Sequence, residues 1–100
     1  MRIHLSTSAN NELVPFNYQQ KLLGVLHRWL GTNELHDKIS LYSFSWLKGG
    51  KRYKNGLHFP YGANWFISFC EENYVKTIIN AIMDSPDMFC GMKVERIVIQ

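Results

Sequence analysis

The sequence has no long apolar run, few cysteines and no phosphate-binding glycine loop, and each gap removes a class of function. No apolar stretch approaches the ~18–20 residues that a helix needs to span a bilayer. The opening, MRIHLSTSANNEL, lacks the apolar centre of a secretory signal peptide. These features predict a soluble, cytoplasmic protein with no membrane partner. Only two cysteines occur, Cys70 and Cys90, and their spacing is that of neither a metal site nor a redox motif. They read as buried thiols in a reducing cytoplasm, with a disulfide between them left open. No His/Cys/Asp/Glu set has zinc spacing, and neither a P-loop nor a dinucleotide fingerprint is present. No metal and no cofactor is therefore expected. A Ser–His–Asp triad can be drawn on paper from many residues here, so it carries no weight. Internal repeats and low-complexity segments are also missing.

What remains is a globular profile. The 100 residues suit one compact domain. They are 46% hydrophobic, 14% aromatic and 19% charged, unlike a disordered chain. Eleven Lys and Arg against eight Asp and Glu leave a net charge of +3. That mild excess suits a polyanionic partner without requiring one.

Periodicity orders the chain. Met1–Ser6 alternates as a strand, Ile3 and Leu5 facing one way and Arg2 and His4 the other. Thr7–Glu12 is a polar loop. Pro15 and Asn17 introduce a helix, with Asn17 as its N-cap. Tyr18, Leu22, Val25, Leu26, Trp29 and Leu30 then form a single apolar stripe, and Gly31 ends it. Thr32–Asp37 suits a short helical turn. Ser40–Leu47 is strand-like, with Tyr42, Phe44 and Trp46 on one face and Leu41 and Leu47 on the other. Lys48–Gly56 reads as a mobile basic loop or hairpin arm. Leu57–Phe59 is a short strand closed by Pro60, Tyr61 and Gly62, and Asn64–Cys70 is a further strand.

Glu71–Asp84 is the second helix, with Tyr74, Val75, Ile78, Ile79, Ile82 and Met83 on its buried face and acidic residues in its first turn. Ser85–Pro86–Asp87 breaks it, and Met92–Gln100 is the last strand. Trp29, Trp46 and Trp65 are assigned to the core, as are Met83, Met88 and Met92. The order is β-α-β-β-α-β. It predicts an α+β, ferredoxin-like domain over residues 1–100, with two helices on one face of a four-stranded antiparallel sheet. The chain ends inside an apolar strand, which suits either a natural last strand or a division at a domain boundary.

Fold class alone does not give function. Three segments together are more specific: MRIHLS, VPFNYQQKLLGVLHRWL (Val14–Leu30) and ELHDKISLYSFSWLKG (Glu34–Gly49). Their order and spacing resemble the CRISPR-associated repeat-processing endoribonucleases of the "Cas six" type, in the RAMP superfamily. The matching pieces include Leu35–His36 and Leu41–Tyr42–Ser43–Phe44–Ser45. The resemblance covers about the first half of the chain; the second half agrees in element order and has no sharp motif. It implies two ferredoxin-like domains, of which this chain has room for one, and a second-domain glycine-rich loop that is absent here. It also implies cutting of precursor CRISPR RNA into guide RNAs without metal. In that reaction a 2′-hydroxyl attacks the adjacent phosphate, leaving a cyclic phosphate and a 5′-hydroxyl. A base, an acid and positive charge on the phosphorane are then required.

The resemblance places His36 at the position of the family's catalytic histidine. His27, late in the first helix, stands where many members have a tyrosine. Histidine suits both proton roles, with an ordinary pKa of about 6.5. The family's lysine a few residues after the histidine is missing. Ser40 and Tyr42 occupy that neighbourhood, and Lys38, Lys48, Lys51 and Arg52 are the available substitutes.

For RNA contact, KGGKRYK (Lys48–Lys54) puts four cations in seven residues. Lys48, Lys51, Arg52 and Lys54 can neutralise phosphates, and Tyr53 offers a stacking surface. Arg2 and His4 can extend the patch. The partners implied are CRISPR repeat RNA, CRISPR effector proteins and a second copy in a homodimer. Two other readings stand beside the nuclease: a non-catalytic RNA-binding module and a protein-interaction domain.

Overall fold

The computed structural model describes residues 2–30, 42–69 and 72–100. Among the described residues, six strands and two helices follow in the order β1 (Arg2–Thr7), α1 (Gln19–Leu30), β2 (Tyr42–Phe44), β3 (Lys51–Tyr53), β4 (Gly56–His58), β5 (Asn64–Phe69), α2 (Glu72–Asp84) and β6 (Val94–Ile99). Four of the strands form an antiparallel sheet in the order β2-β5-β1-β6. The strands β3 and β4 pair apart from it as a hairpin. The ferredoxin-like α+β architecture is therefore present, with a hairpin inserted between the second and third strands of the sheet.

Alternation along the central strands decides which face is covered. Ile3, Leu5 and Thr7 of β1 are buried, as are Trp65, Ile67 and Phe69 of β5. They meet the apolar stripe of α1, formed by Tyr18, Leu22, Val25, Leu26, Trp29 and Leu30, and the narrower stripe of α2, formed by Val75, Ile78 and Ile82. Trp29 and Trp65 approach across the layer at 6.1 Å. Their indole N–H groups donate to the carbonyls of Ser85 and Ser45 at 2.9 and 3.0 Å, so neither buried ring leaves a polar atom unpaired. A bulge relieves the β1–β6 pairing: Ser6 lies opposite Arg96 but Thr7 opposite Val94, leaving Glu95 as the extra residue.

Several expectations from the sequence need correction. The carbonyl of Tyr18 accepts from the Leu22 N–H at 3.1 Å, so Tyr18 rather than Asn17 takes the cap position. The strand expected over Ser40–Leu47 has described ladder pairing only at Tyr42–Phe44. Trp46 is 55% exposed, against its assignment to the core. It lies beyond the end of β2, where its ring meets that of Tyr18 near perpendicular at 5.1 Å. Leu47 instead turns inward, its N–H donating to the Tyr18 hydroxyl at 2.9 Å.

Met83 is 74% exposed rather than buried. The buried stripe of α2 ends at Ile82, and Met83 faces a surface groove with Pro86 and Ile97. The greater part of Lys48–Gly56 belongs to the hairpin, the second of the two readings of that segment. The turn expected at Thr32–Asp37 lies outside the described residues, as do Gly31, Leu41, Cys70 and Glu71. Cys90 is a free, half-buried thiol.

Two loop positions demand glycine. At Gly62, φ is 84°, and a β-carbon would stand 1.8 Å from the Thr7 carbonyl oxygen. At Gly91, φ is 82°, and a β-carbon would meet the Asn11 side chain at 2.2 Å. Both backbones occupy the left-handed region, and at Gly62 the approach to the Thr7 backbone is too close for any side chain.

Burial pushes the pKa of Tyr18 above its ordinary value of 10.0, while the hydrogen bond from Leu47 opposes the shift. The folded state therefore holds the phenol proton more tightly than the unfolded chain does. This contribution is intact at neutral pH and is lost as pH rises through and beyond about 10. Tyr18→Phe leaves the Leu47 N–H buried and unpaired. It should lower unfolding free energy by about 1–3 kcal/mol, read as a lower urea midpoint with an unchanged slope. The variant should also lose part of the alkaline sensitivity of the wild type.

Candidate nucleic-acid interface

The hairpin is fixed to the domain through backbone and one buried amide. Val14 and Leu57 exchange both backbone hydrogen bonds, at 3.0 and 2.8 Å. Asn10, only 7% exposed, spans the junction. Its Oδ1 accepts from the Phe59 N–H at 2.8 Å, and its Nδ2 donates to the carbonyls of Glu12 and Leu57 at 2.6 and 3.1 Å. Phe59 is fully buried beside it. Gly50 admits this ring: a β-carbon there would lie 2.7 Å from Phe59.

Anchoring of this kind leaves the strand residues free to face water. Lys51, Arg52 and Tyr53 are all exposed, and Lys54 occupies the turn. Arg52 lies over the Phe16 ring at 5.0 Å, and Tyr53 stands 6.0 Å from His58. A cation held on an aromatic face is partly pre-oriented. Four of the expected contact residues therefore share one projecting element, and Phe16 and His58 join them. Neither of those two was singled out from the sequence.

The remaining expected cations, Arg2 and Lys48, meet elsewhere. Both approach Phe66 on the sheet face away from the helices. The Arg2 guanidinium carbon lies 4.3 Å, and the Lys48 ammonium 5.2 Å, from the ring centroid. His4 stacks on the same ring at 4.5 Å with the planes 15° apart. Its Nε2 bonds Asn64 Oδ1 at 2.8 Å, and the Ser6 hydroxyl donates to the same oxygen at 3.4 Å. Phe66 was overlooked in a run that reads as uniformly apolar. Alternation against Trp65 and Ile67 was the signal that places it on the opposite face.

Of the two histidines expected to act as acid and base, His27 alone is among the described residues. His36 lies outside the described residues, as do Lys38 and Ser40. His27 is half-buried in the last turn of α1. Among the described residues, no three of His, Cys, Asp and Glu are grouped as a metal-ligand set. No helix among them is long and apolar enough to cross a membrane.

With this geometry in hand, solved structures provide a comparison. The chain matches one described as "CRISPR associated protein Cas6" over its whole length and 48% of that chain, at TM-score 0.77 and 21% identity. It matches "An RAMP protein binding different RNA substrates" over the same shares, at TM-score 0.78 and 21% identity. A third, "Characterization of a Cas6-related gene from Pyrococcus furiosus", matches over 97% of this chain and 46% of that one, at TM-score 0.77 and 22% identity. This is a Cas6-type RAMP fold. The chain spans about half the length of the structures it matches. No family model and no curated protein matches the sequence. At this level of identity, the Cas6-type fold is what the likeness shows, and the side chains must carry any argument about function.

The hairpin's attachment can be tested directly. Asn10→Ala removes the acceptor of the Phe59 N–H and should cost about 2 kcal/mol. The Phe59 amide should lose its protection against hydrogen exchange, while the amides of β1 and β5 keep theirs.

Proposed function

We propose that this chain is the repeat-RNA-binding part of a CRISPR-associated endoribonuclease that cuts precursor CRISPR RNA into guide RNAs. The observation that carries the reading is the hairpin, where Lys51, Arg52, Tyr53 and Lys54 stand exposed on an element tied to the core by Asn10. Closely spaced cations there can neutralise successive phosphates, and the glycines at 49 and 50 keep the approach to them slim. The Cas6-type fold and the motif resemblance around His36 support the same reading.

Cleavage in this proposal is metal-independent. His36 acts on the 2′-hydroxyl or the leaving oxygen, and His27 is the candidate for the complementary proton role. One of Lys38, Lys48, Lys51 and Arg52 offsets charge on the phosphorane in this reading. A second domain of the kind the resemblance implies would complete the enzyme, so the assay belongs on the protein together with such a domain.

The test is incubation with repeat-containing RNA in excess chelator, with the product ends mapped. The expected product has a cyclic phosphate, is absent with His36→Ala, and the variant's RNA affinity stays near that of the wild type. Binding without any product would assign a non-catalytic RNA-binding module instead. Lys51→Ala combined with Arg52→Ala should weaken binding and lower the salt slope by about 2 if both touch phosphate; an unchanged slope would remove the hairpin from the interface.

A further inference from the structure

The strand β6 stands last in the sheet order β2-β5-β1-β6, with one edge open. Its Gln100 N–H donates to the carbonyl of Arg2, the residue opposite, at 2.8 Å. Backbone bonding alternates along an antiparallel strand, so Arg96, Val98 and Gln100 turn their N–H and C=O groups toward β1. Ile97 and Ile99 turn theirs outward, where no described residue pairs with them. Natural sheets usually shorten, charge or kink such an edge. The opposite edge strand, β2, is three residues long. In contrast, β6 has six residues, and its bulge at Glu95 leaves Arg96–Gln100 regular, with neither lysine nor proline.

The side chains beside this edge are apolar. Ile97 and Ile99 lie opposite Leu5 and Ile3, on the helix-covered side of the sheet. Ile99 is 56% exposed even so, and Met83 of α2 is 74% exposed. Ile82, Met83, Pro86 and Ile97 line a groove of about 360 Å³ against β6. An aliphatic row therefore meets water next to unpaired backbone, and an added strand would cover both.

Such a strand must be apolar at alternate positions, and β6 supplies that pattern for itself. When two copies pair about a two-fold axis perpendicular to the sheet, opposed residues share a face, so the axis passes through one residue. An axis at Glu95 or Arg96 opposes like charges. At Ile97 it sets Glu95 against Ile99, and at Ile99 it leaves Ile97 without a partner. At Val98 it sets Ile97 opposite Ile99 on both sides of the axis, Val98 opposite Val98, and Arg96 opposite the Gln100 amide. The outward N–H and C=O groups of Ile97 and Ile99 then bond one another in both pairs. Met83 of each copy is left beside the aliphatic pairs.

We propose that two copies of this chain dimerise by antiparallel pairing of β6 with β6 about an axis at Val98, joining the two sheets into one. The inference does not depend on the RNA-binding reading.

The experiment is sedimentation equilibrium over a concentration series, followed by cysteine cross-linking. The wild type should approach twice the chain mass as concentration rises. Ile99→Lys, at a position already exposed, should stay folded by circular dichroism. It should weaken dimerisation by about tenfold or more, because each dimer loses the aliphatic pair twice. Val98→Cys faces its own copy at a Cα separation of about 4.5 Å, within disulfide reach. Mild oxidation should give a 98–98 disulfide, located by mass spectrometry. Arg96→Cys residues would lie about 13 Å apart along the strands and should give no 96–96 bond. A wild type that is monomeric at every concentration overturns the inference. So does a dimer that forms no 98–98 bond, or one that cross-links equally at 96 and 98.

Discussion

Because β1 runs between β5 and β6, each of its side chains must serve one of two surfaces. Ile3, Leu5 and Thr7 are buried against the helices, and Arg2, His4 and Ser6 stand on the other side. A slip of one residue would put cations in the core and aliphatic groups in water, so register here is strongly determined. Thr7 adds a polar lock at the strand's end. Its N–H donates to the Ala63 carbonyl, its hydroxyl accepts from the Ala63 N–H, and both distances are 2.9 Å. Gly62, pressed against the Thr7 carbonyl, is what lets the chain return this closely. The start of β5 is set by that contact, and with it the positions of Asn64 and Phe66.

The parts legible in the sequence are those governed by local period. The α1 stripe and the alternation in β1 correspond to the observed burial. The resemblance that pointed to a Cas6-type protein agrees with the fold likeness to Cas6 and RAMP structures. What the sequence did not show depends on the third dimension. Trp46 continues the parity of Phe44, but the sheet beneath it has ended, and only packing reveals that. Phe44 still meets Trp65 edge-on at 6.0 Å. Met83 has the right hydropathy and lies one residue past the last contact. The hairpin was left as one of two readings because a short run of cations and glycines carries no alternation, and its attachment comes from Asn10, far away in sequence.

The candidate interface was legible as charge but not as arrangement. Lys51, Arg52, Tyr53 and Lys54 were read correctly as one exposed group. Lys48 was read as part of that group and Arg2 as an extension of it. In the structure they belong to a separate cluster around Phe66, because β1 and β5 bring residues sixty positions apart into register. No pattern within a short window reports such distances.

The anchoring of the hairpin has a bearing on how such a protein can change over time. The forces that keep β3 and β4 in place come from Asn10, the Val14–Leu57 pairing and the buried Phe59. The side chains at 51, 52 and 53 contribute little to that attachment. Substitutions at these positions are thus nearly neutral for folding while altering whatever the hairpin touches. Stability and recognition are divided between separate sets of residues. A lineage built on this scaffold is free to alter its ligand preference by drift at a few surface codons, with the core left under its own, independent selection.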